Sequence, residues 1–374
     1  MQKVINTEAL REALSNRGLT QKQLAETLGV SSQAVTNWLK QKDFPRPAKL
    51  LKLTTTLHLT FDELVKTSNG DQPIVAFRKK GGAKTTSAHI AKAHGIGMLL
   101  KPLVPYLPEL QALRTLITSP TTEHHKLQVI VAQTRDQLGI GERAVLEYEH
   151  LIGEFKNAGA ILVPVLWGEK KVHENALHIR LPQEDVTFIF LNLDTRLEDF
   201  KFWLAHELAH VYTPELAGSD DGEDFADAFA GALLFPRACV EIAYRDALKQ
   251  KHNDDVIRIL QEHAHRHMIS LNTVYQQLKQ YAKAEGLPTL SVGEQSIHAV
   301  RNSVRGQLIS DALFDPTPPA PDHYIAASAH VFQSDFFNAL KRMLHEKHTG
   351  SSYIQQVLDS TVHDAKAIYE ELRH

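Results

Sequence analysis

Within FWLAHELAHVY, His206 and His210 stand four residues apart with Glu207 between them. That spacing brings the two imidazoles onto one face only if the segment is an α-helix. Phe202, Leu204, Ala205, Leu208 and Ala209 surround them, so the helix is apolar around most of its circumference and belongs in a core. Two imidazoles on such a face can hold one zinc ion through ring nitrogens. Glu207 follows the first ligand directly. It lies beside the ion without binding it and can serve as a general base toward water. An HExxH string is short, and this chain has 21 histidines, so the neighbouring sequence must support the reading.

The downstream sequence does support it. The loop 213–222 holds Pro214, Gly218 and Gly222 and can turn the chain back, after which EDFADAFA places Glu223 and Asp227 four apart on one helix face. Glu223 can complete a His2Glu site that leaves one position open. Asp227 can accept a hydrogen bond from the outer nitrogen of His206 and so fix its tautomer. Asp224 is the rival ligand, but it projects about 100° away from Glu223 around the helix. Upstream, residues 143–156 read as an amphipathic helix, and 160–166, 176–181 and 187–193 as three short β-rich runs bounded by turn residues. The expected order is a helix, a three-stranded sheet and two helices that carry the ligands.

Residues 1–68 have a different character and read as five short helices. Thr20 is placed to cap a helix over 21–28, Gly29 to end it, and Ser31 to cap the next, over 32–40. Two short helices joined by such a turn follow the helix-turn-helix plan. The wording TQKQLAETLGVSSQAVTNWLKQ resembles the XRE, lambda repressor-like, family. The resemblance implies that the second helix enters the major groove of double-stranded operator DNA. By position it assigns base reading to Ser32, Gln33 and Asn37 and a phosphate contact to Gln21, and it implies a homodimer. Trp38 is expected in the core. Residues 1–84 hold 14 lysines and arginines against 7 acidic residues, while the whole chain has a net charge of −3. A polyanion-binding surface is therefore expected at the front of the chain.

The remainder sets limits. A single cysteine, Cys239, excludes a disulfide framework and a thiolate-rich zinc site. No apolar signal core opens the chain, and no apolar run reaches the roughly eighteen residues of a membrane helix. A soluble cytoplasmic protein is expected. Residues 69–86 read as a linker whose Arg78-Lys79-Lys80 run is a solvated basic loop. Residues 87–138 and 237–374 read as helical, with PTPPAP at 316–321 separating a final helical region. His263, His265 and His267 read as a solvated face, and no oxyanion donor is assigned to Tyr212 or Tyr244.

From about 129 to 236 the chain resembles the ImmA/IrrE family of metallopeptidases, through FIFLN, then FWLAHELAH, then EDFADAFAGALLFP. An upstream helix-turn-helix joined through a segment like VAFRKK is a combination known in that family. The resemblance implies a zinc-dependent peptidase of the gluzincin type whose usual substrates are transcriptional repressors, in stress response, mobile-element induction or phage defence. The expected fold is mainly α with a small α+β part. It comprises a DNA-binding domain over 1–68, the linker 69–86, a metallopeptidase domain over 87–240, and a helical region over 241–374 with no assigned role. The functional reading is a DNA-binding regulator with a zinc endopeptidase that cleaves a repressor, either a partner or itself. The alternative is a non-proteolytic regulator or antitoxin whose metal domain senses a ligand. Glu207 favours the enzyme, because a sensor has no need of a base there.

Overall fold

The computed structural model describes residues 2–40, 43–68, 72–77, 87–109, 116–168, 176–303 and 306–373. The chain divides into two units, Met1–Gln72 and Pro73–His374. In the first, α1 (Thr7–Asn16), α2 (Gln21–Leu28), α3 (Ser32–Leu39), α4 (Pro47–Leu57) and α5 (Phe61–Leu64) lie between β1 (Gln2–Ile5) and β2 (Val65–Ser68). Leu10, Leu24, Leu28, Val35 and Leu53 are fully buried, and Trp38 joins them. Thr20 and Gln23 form a reciprocal capping box at the start of α2. Gly29 ends the helix at φ 64°, a left-handed conformation that strains any residue with a Cβ. Ser31 then accepts from the Ala34 amide and starts α3. Each such cap stabilises its helix by about 1 kcal/mol. The antiparallel β1–β2 ribbon, with Ile5 opposite Val65, is an addition to the expected five helices. Main-chain pairing between the two ends of the unit creates it, and runs of four residues carry no periodic signal of their own.

The second unit begins with β3 (Ile74–Phe77), α6 (Ser87–Leu100), α7 (His124–Gln137) and α8 (Tyr148–Asn157), then β4 (Ala160–Val165), β5 (Ala176–Leu181) and β6 (Val186–Asn192). α9 (Leu197–Tyr212) and α10 (Asp220–Leu234) follow, then α11 (Arg237–Leu248), α12 (Asn253–His267), α13 (Leu271–Ala284), α14 (Glu294–Ser303) and α15 (Ile309–Leu313). The chain closes with α16 (Pro321–His330), α17 (Phe336–Lys347), α18 (Ser351–Leu358) and α19 (Val362–Arg373). No described helix is long and apolar enough to cross a membrane.

The sheet order is β3-β5-β6-β4, with β4 parallel to β6 and β5 antiparallel to both of its neighbours. β4 and β6 are buried at every position, which is why they are mostly apolar and lack a polar-apolar alternation. The sheet therefore has four strands where three were expected. The added strand, β3, comes from the stretch read as linker, and its Ala76 sits opposite His178 of β5. Four β-prone residues beside a Gly- and Lys-rich stretch carry too weak a local signal, and only the free edge of β5 makes a strand of them. Residues 69–71 and 78–86 of that stretch, including Arg78-Lys79-Lys80, lie outside the described residues.

The helices beyond 240 do not form a separate unit. They share one apolar core with the sheet, and PTPPAP marks no boundary. They also cover the sheet edge at β4, whose carbonyls at Leu162 and Pro164 accept from the hydroxyls of Ser334 and Tyr324. An uncovered edge would leave those carbonyls without partners in the core. Trp167 Nε1 adds a 2.8 Å bond to the Leu358 carbonyl.

One buried charge stands out on α9. Lys201 is fully buried; its ammonium donates to the His267 carbonyl at 2.9 Å, with Glu147 3.8 Å away. Burial lowers its pKa from 10.5 to about 8 against the pull of Glu147. Above pH 8 the unfolded chain holds this proton and the folded chain releases it, so stability rises with pH. Between pH 8 and about 9.5 the Lys201 contribution by itself should add about 2 kcal/mol to the unfolding free energy, while His206, raised to about 9, and the buried Cys239 thiol, pushed up by burial, pull the other way. Denaturant titrations of full-length protein and of Lys201→Met should therefore diverge by that amount across the window.

Candidate metal centre

α9 carries the central residues because its surroundings leave them nowhere else to go. Every residue from Trp203 to Tyr212 is buried, including His206, Glu207 and His210 at 1%, 2% and 1% exposure. After α9 the chain turns back sharply. Gly218 adopts φ 76°, and a Cβ on Gly222 would lie 2.3 Å from the Leu216 carbonyl oxygen. Ser219 caps α10 by accepting from the Gly222 amide. This tight return delivers Glu223, in the first turn of α10, to the histidine face of α9.

There the side chains converge. The Nε2 atoms of His206 and His210 are 3.2 Å apart. Glu223 approaches His210 at 3.3 Å and His206 at 3.5 Å, one carboxylate oxygen to each. Among the described residues these three are the group able to hold a metal ion. Tetrahedral ligands about 2.0–2.1 Å from one ion stand about 3.3 Å from each other, so the observed separations fit a shared cation. The electrostatics agree. Burial would raise the Glu223 carboxyl, but hydrogen bonds from the two imidazoles hold it at about 2. Burial would lower His206, yet Asp227 and Glu223 raise it to about 9. The cluster favours a positive charge at its centre, whether a proton or a metal ion.

Asp227 stands where expected, its Oδ1 2.9 Å from His206 Nδ1. A carboxylate only accepts, so Nδ1 carries the hydrogen and Nε2 turns to the centre. His210 has no such partner: its Nδ1 is buried without a hydrogen bond among the described residues. Glu207 takes no part in the triad. Its Oε2 lies 3.3 Å from Nδ1 of His178, close enough for an ion-pair contact but off the line for a hydrogen bond. Burial works to raise the Glu207 carboxyl, but His178, His210 and His206 more than offset it, and the group stays ionised below its ordinary range. His178 was not singled out by sequence reasoning. Its single clue is a histidine in a short strand that also carries Arg180, which does not reveal that β5 faces α9.

Other histidines and tyrosines sort differently. His267 is buried, edge-on to Phe235 with ring centroids 5.0 Å apart, and His263 contacts the same ring. The expected solvated histidine face is therefore partly core, because α12 packs that side against the unit. Tyr212 donates to Glu154 at 2.9 Å and Tyr244 to the Pro288 carbonyl, so both hydroxyls are engaged away from the metal centre.

In the first unit, Ser32 and Gln33 are exposed at the start of α3, and Asn37 is half-buried one turn on. Gln33 Nε2 donates to Asn37 Oδ1 at 2.9 Å. Gln21, at the start of α2, accepts from Thr36 Oγ1 at 3.2 Å. The four expected residues thus share one surface, and Thr36, missed in the sequence, links the two helices across it.

His206, His210 and Glu223, on the packed helices α9 and α10, form a group able to hold a metal ion, beside a small mixed sheet, as a metallopeptidase-type fold requires. Two comparisons agree with this architecture. Residues 9–64 match the helix-turn-helix family model, and residues 168–279 match the IrrE N-terminal-like domain model. The chain thus joins an XRE-type DNA-binding domain to an IrrE/ImmA-like, peptidase-like domain. No curated protein matches it significantly. The second match ends within α13, so α14 to α19 lie beyond it.

Removing a ligand should separate the roles of these carboxylates. Glu223→Ala should lose bound zinc, while Asp224→Ala should keep it. Asp227→Asn should bind it about 10–100-fold more weakly. Elemental analysis and chelator competition read all three, and full zinc in Glu223→Ala would remove it from the ligand set.

Proposed function

We propose that this protein is a DNA-binding regulator with a zinc-dependent endopeptidase that cleaves a repressor, a partner protein or a copy of itself. The observation that carries the reading is Glu207, a buried carboxylate beside the His206–His210–Glu223 cluster but outside it. A site built only to hold an ion would have no reason to bury a further charge there, since an uncompensated carboxylate in a core is costly.

His206, His210 and Glu223 would hold the zinc, which when bound supplies a Lewis acid for a peptide carbonyl and acidifies water. Glu207 takes a proton from the attacking water and passes it to the leaving amine. His178, protruding from β5 toward the Glu207 carboxylate, sets which way its oxygens face. Asp227 keeps His206 in the ligating tautomer. The apolar walls of α9 and α10 exclude bulk water, which strengthens each of these interactions. On the helix-turn-helix unit, Gln33, Ser32 and Asn37 read base edges and Gln21 contacts a phosphate, placing the enzyme at an operator where a repressor substrate gathers. A homodimer would match an inverted pair of half-sites.

Zinc-loaded full-length protein, mixed with candidate repressors with and without operator DNA, should produce discrete fragments. Glu207→Gln should retain zinc but cleave about 10²–10⁴-fold more slowly. Zinc retention with undiminished cleavage in that variant would sink the mechanism, and no cleavage by the wild type would favour a sensing role. On the DNA side, Gln33→Ala should cost about 1–3 kcal/mol of discrimination between operator and random duplex. Gln21→Ala should weaken binding to both alike, as measured by titration at fixed salt.

A further inference from the structure

Beside the metal centre, between α7, α9, α10 and α13, lies a cavity of about 800 Å³. Asp227 connects the two places: it accepts from His206 on one side, and its half-exposed side chain lines the cavity on the other. Among the described lining residues, the carboxylates of Glu123, Asp224 and Asp227 face one lysine, Lys283, and Asp227 is already paired with His206. Glu123 is already engaged in capping α7, whereas Asp224 is exposed and forms no ion pair among the described residues. One wall is Phe202, a single turn before His206 on α9.

The second observation comes from the buried side of the cavity. Gln277 is 3% exposed. Its amide lies over Gly231, where a Cβ would meet Nε2 at 2.4 Å, and both residues line the cavity. The side chain is almost wholly buried, lines the cavity, and makes no side-chain hydrogen bond to another described residue. Its amide therefore remains available to a group that enters the cavity. That group must offer hydrogen-bond donors to an amide oxygen and to carboxylates, and it must carry positive charge.

We propose that this cavity receives an arginine side chain of the peptide substrate, an inference that rests on the peptidase reading. A guanidinium offers five donors in a planar fork and stacks on aromatic faces. It can donate to Asp224 and to the Gln277 amide oxygen while its plane lies against Phe202. A carboxylate side chain is repelled here, and a neutral side chain leaves Asp224 without a counter-charge. Because Asp227 borders both places, a peptide whose scissile carbonyl reaches the metal centre extends past α10 with one side chain beside the cavity. Asp224, Gln277 and Phe202 are then specificity determinants for a basic residue close to the cleaved bond.

The test uses full-length Glu207→Gln protein loaded with zinc, so that binding is measured without turnover. The probes are two short fluorescent peptides, alike except that one carries arginine and the other its uncharged isostere citrulline. Anisotropy titrations should show arginine bound about fivefold more tightly, with the preference shrinking as salt rises. Asp224→Asn, a surface change that leaves the core intact, should abolish most of the preference. Lys283→Gln should enhance it. Equal affinity for the two peptides, or an unchanged preference in Asp224→Asn, overturns the assignment. Repressor cleavage by the wild type without arginine preference would leave the peptidase reading standing and remove this one. Arginine-selective binding without cleavage of any substrate would overturn the peptidase reading, and with it the arginine's place in a substrate, leaving only an arginine-binding cavity.

Discussion

The hydrogen bond from His206 Nδ1 to Asp227 does more than orient one ring. It ties α9 to α10 at the place where two histidines and two carboxylates meet in an otherwise apolar interior. Without it, His206 could present either nitrogen to the centre, and Glu223 would face a donor or an acceptor at random. With it, the tautomer is set, the carboxylate of Glu223 stays ionised, and the three donors share one charge between them. The return loop through Gly218 and Gly222 serves this arrangement, since the helices must lie close for the bond to form.

The sheet is the second constraint. β5 packs against α9 and holds His178 opposite Glu207. That contact places a buried imidazole, which burial keeps toward its neutral form, 3.3 Å from the buried Glu207 carboxylate. Distant parts of the chain complete this sheet at both ends. β3 pairs with β5 from the N-terminal side, and the hydroxyls of Tyr324 and Ser334 cap carbonyls of the edge strand β4 from the C-terminal side. The long helical tail therefore has a structural role in the peptidase-like unit: it satisfies the main chain of an edge strand and completes the core.

Much of this was legible in the residues themselves. The i, i+4 spacing of His206 and His210, and of Glu223 and Asp227, is a helical pattern that needs no tertiary information. Cap residues Thr20 and Ser31 and the left-handed Gly29 act locally, so the two motif helices of the first unit could be placed from sequence alone. The three strands β4, β5 and β6 announced themselves as short β-rich runs bounded by turn residues. Asp227 could be paired with His206 because the partner of a ligand imidazole is chemically constrained to be an acceptor.

The features that could not be read ahead are those created by approach between distant segments. β1, β2 and β3 became strands through main-chain pairing, for which a four-residue run is too short to signal. His178 gained its importance from the register of β5 beneath α9, and Thr36 from its contact with Gln21. His267, read as solvated, was buried by Phe235. The cavity beside Asp227 is built by α13 crossing α10, and the Gln277 amide has no meaning until Gly231 lies beneath it. Local spacing determined which side chains could act together along one helix, because helix geometry is short-ranged. Tertiary packing alone decided which of them were buried, paired or left facing a cavity, because desolvation depends on the whole surrounding core.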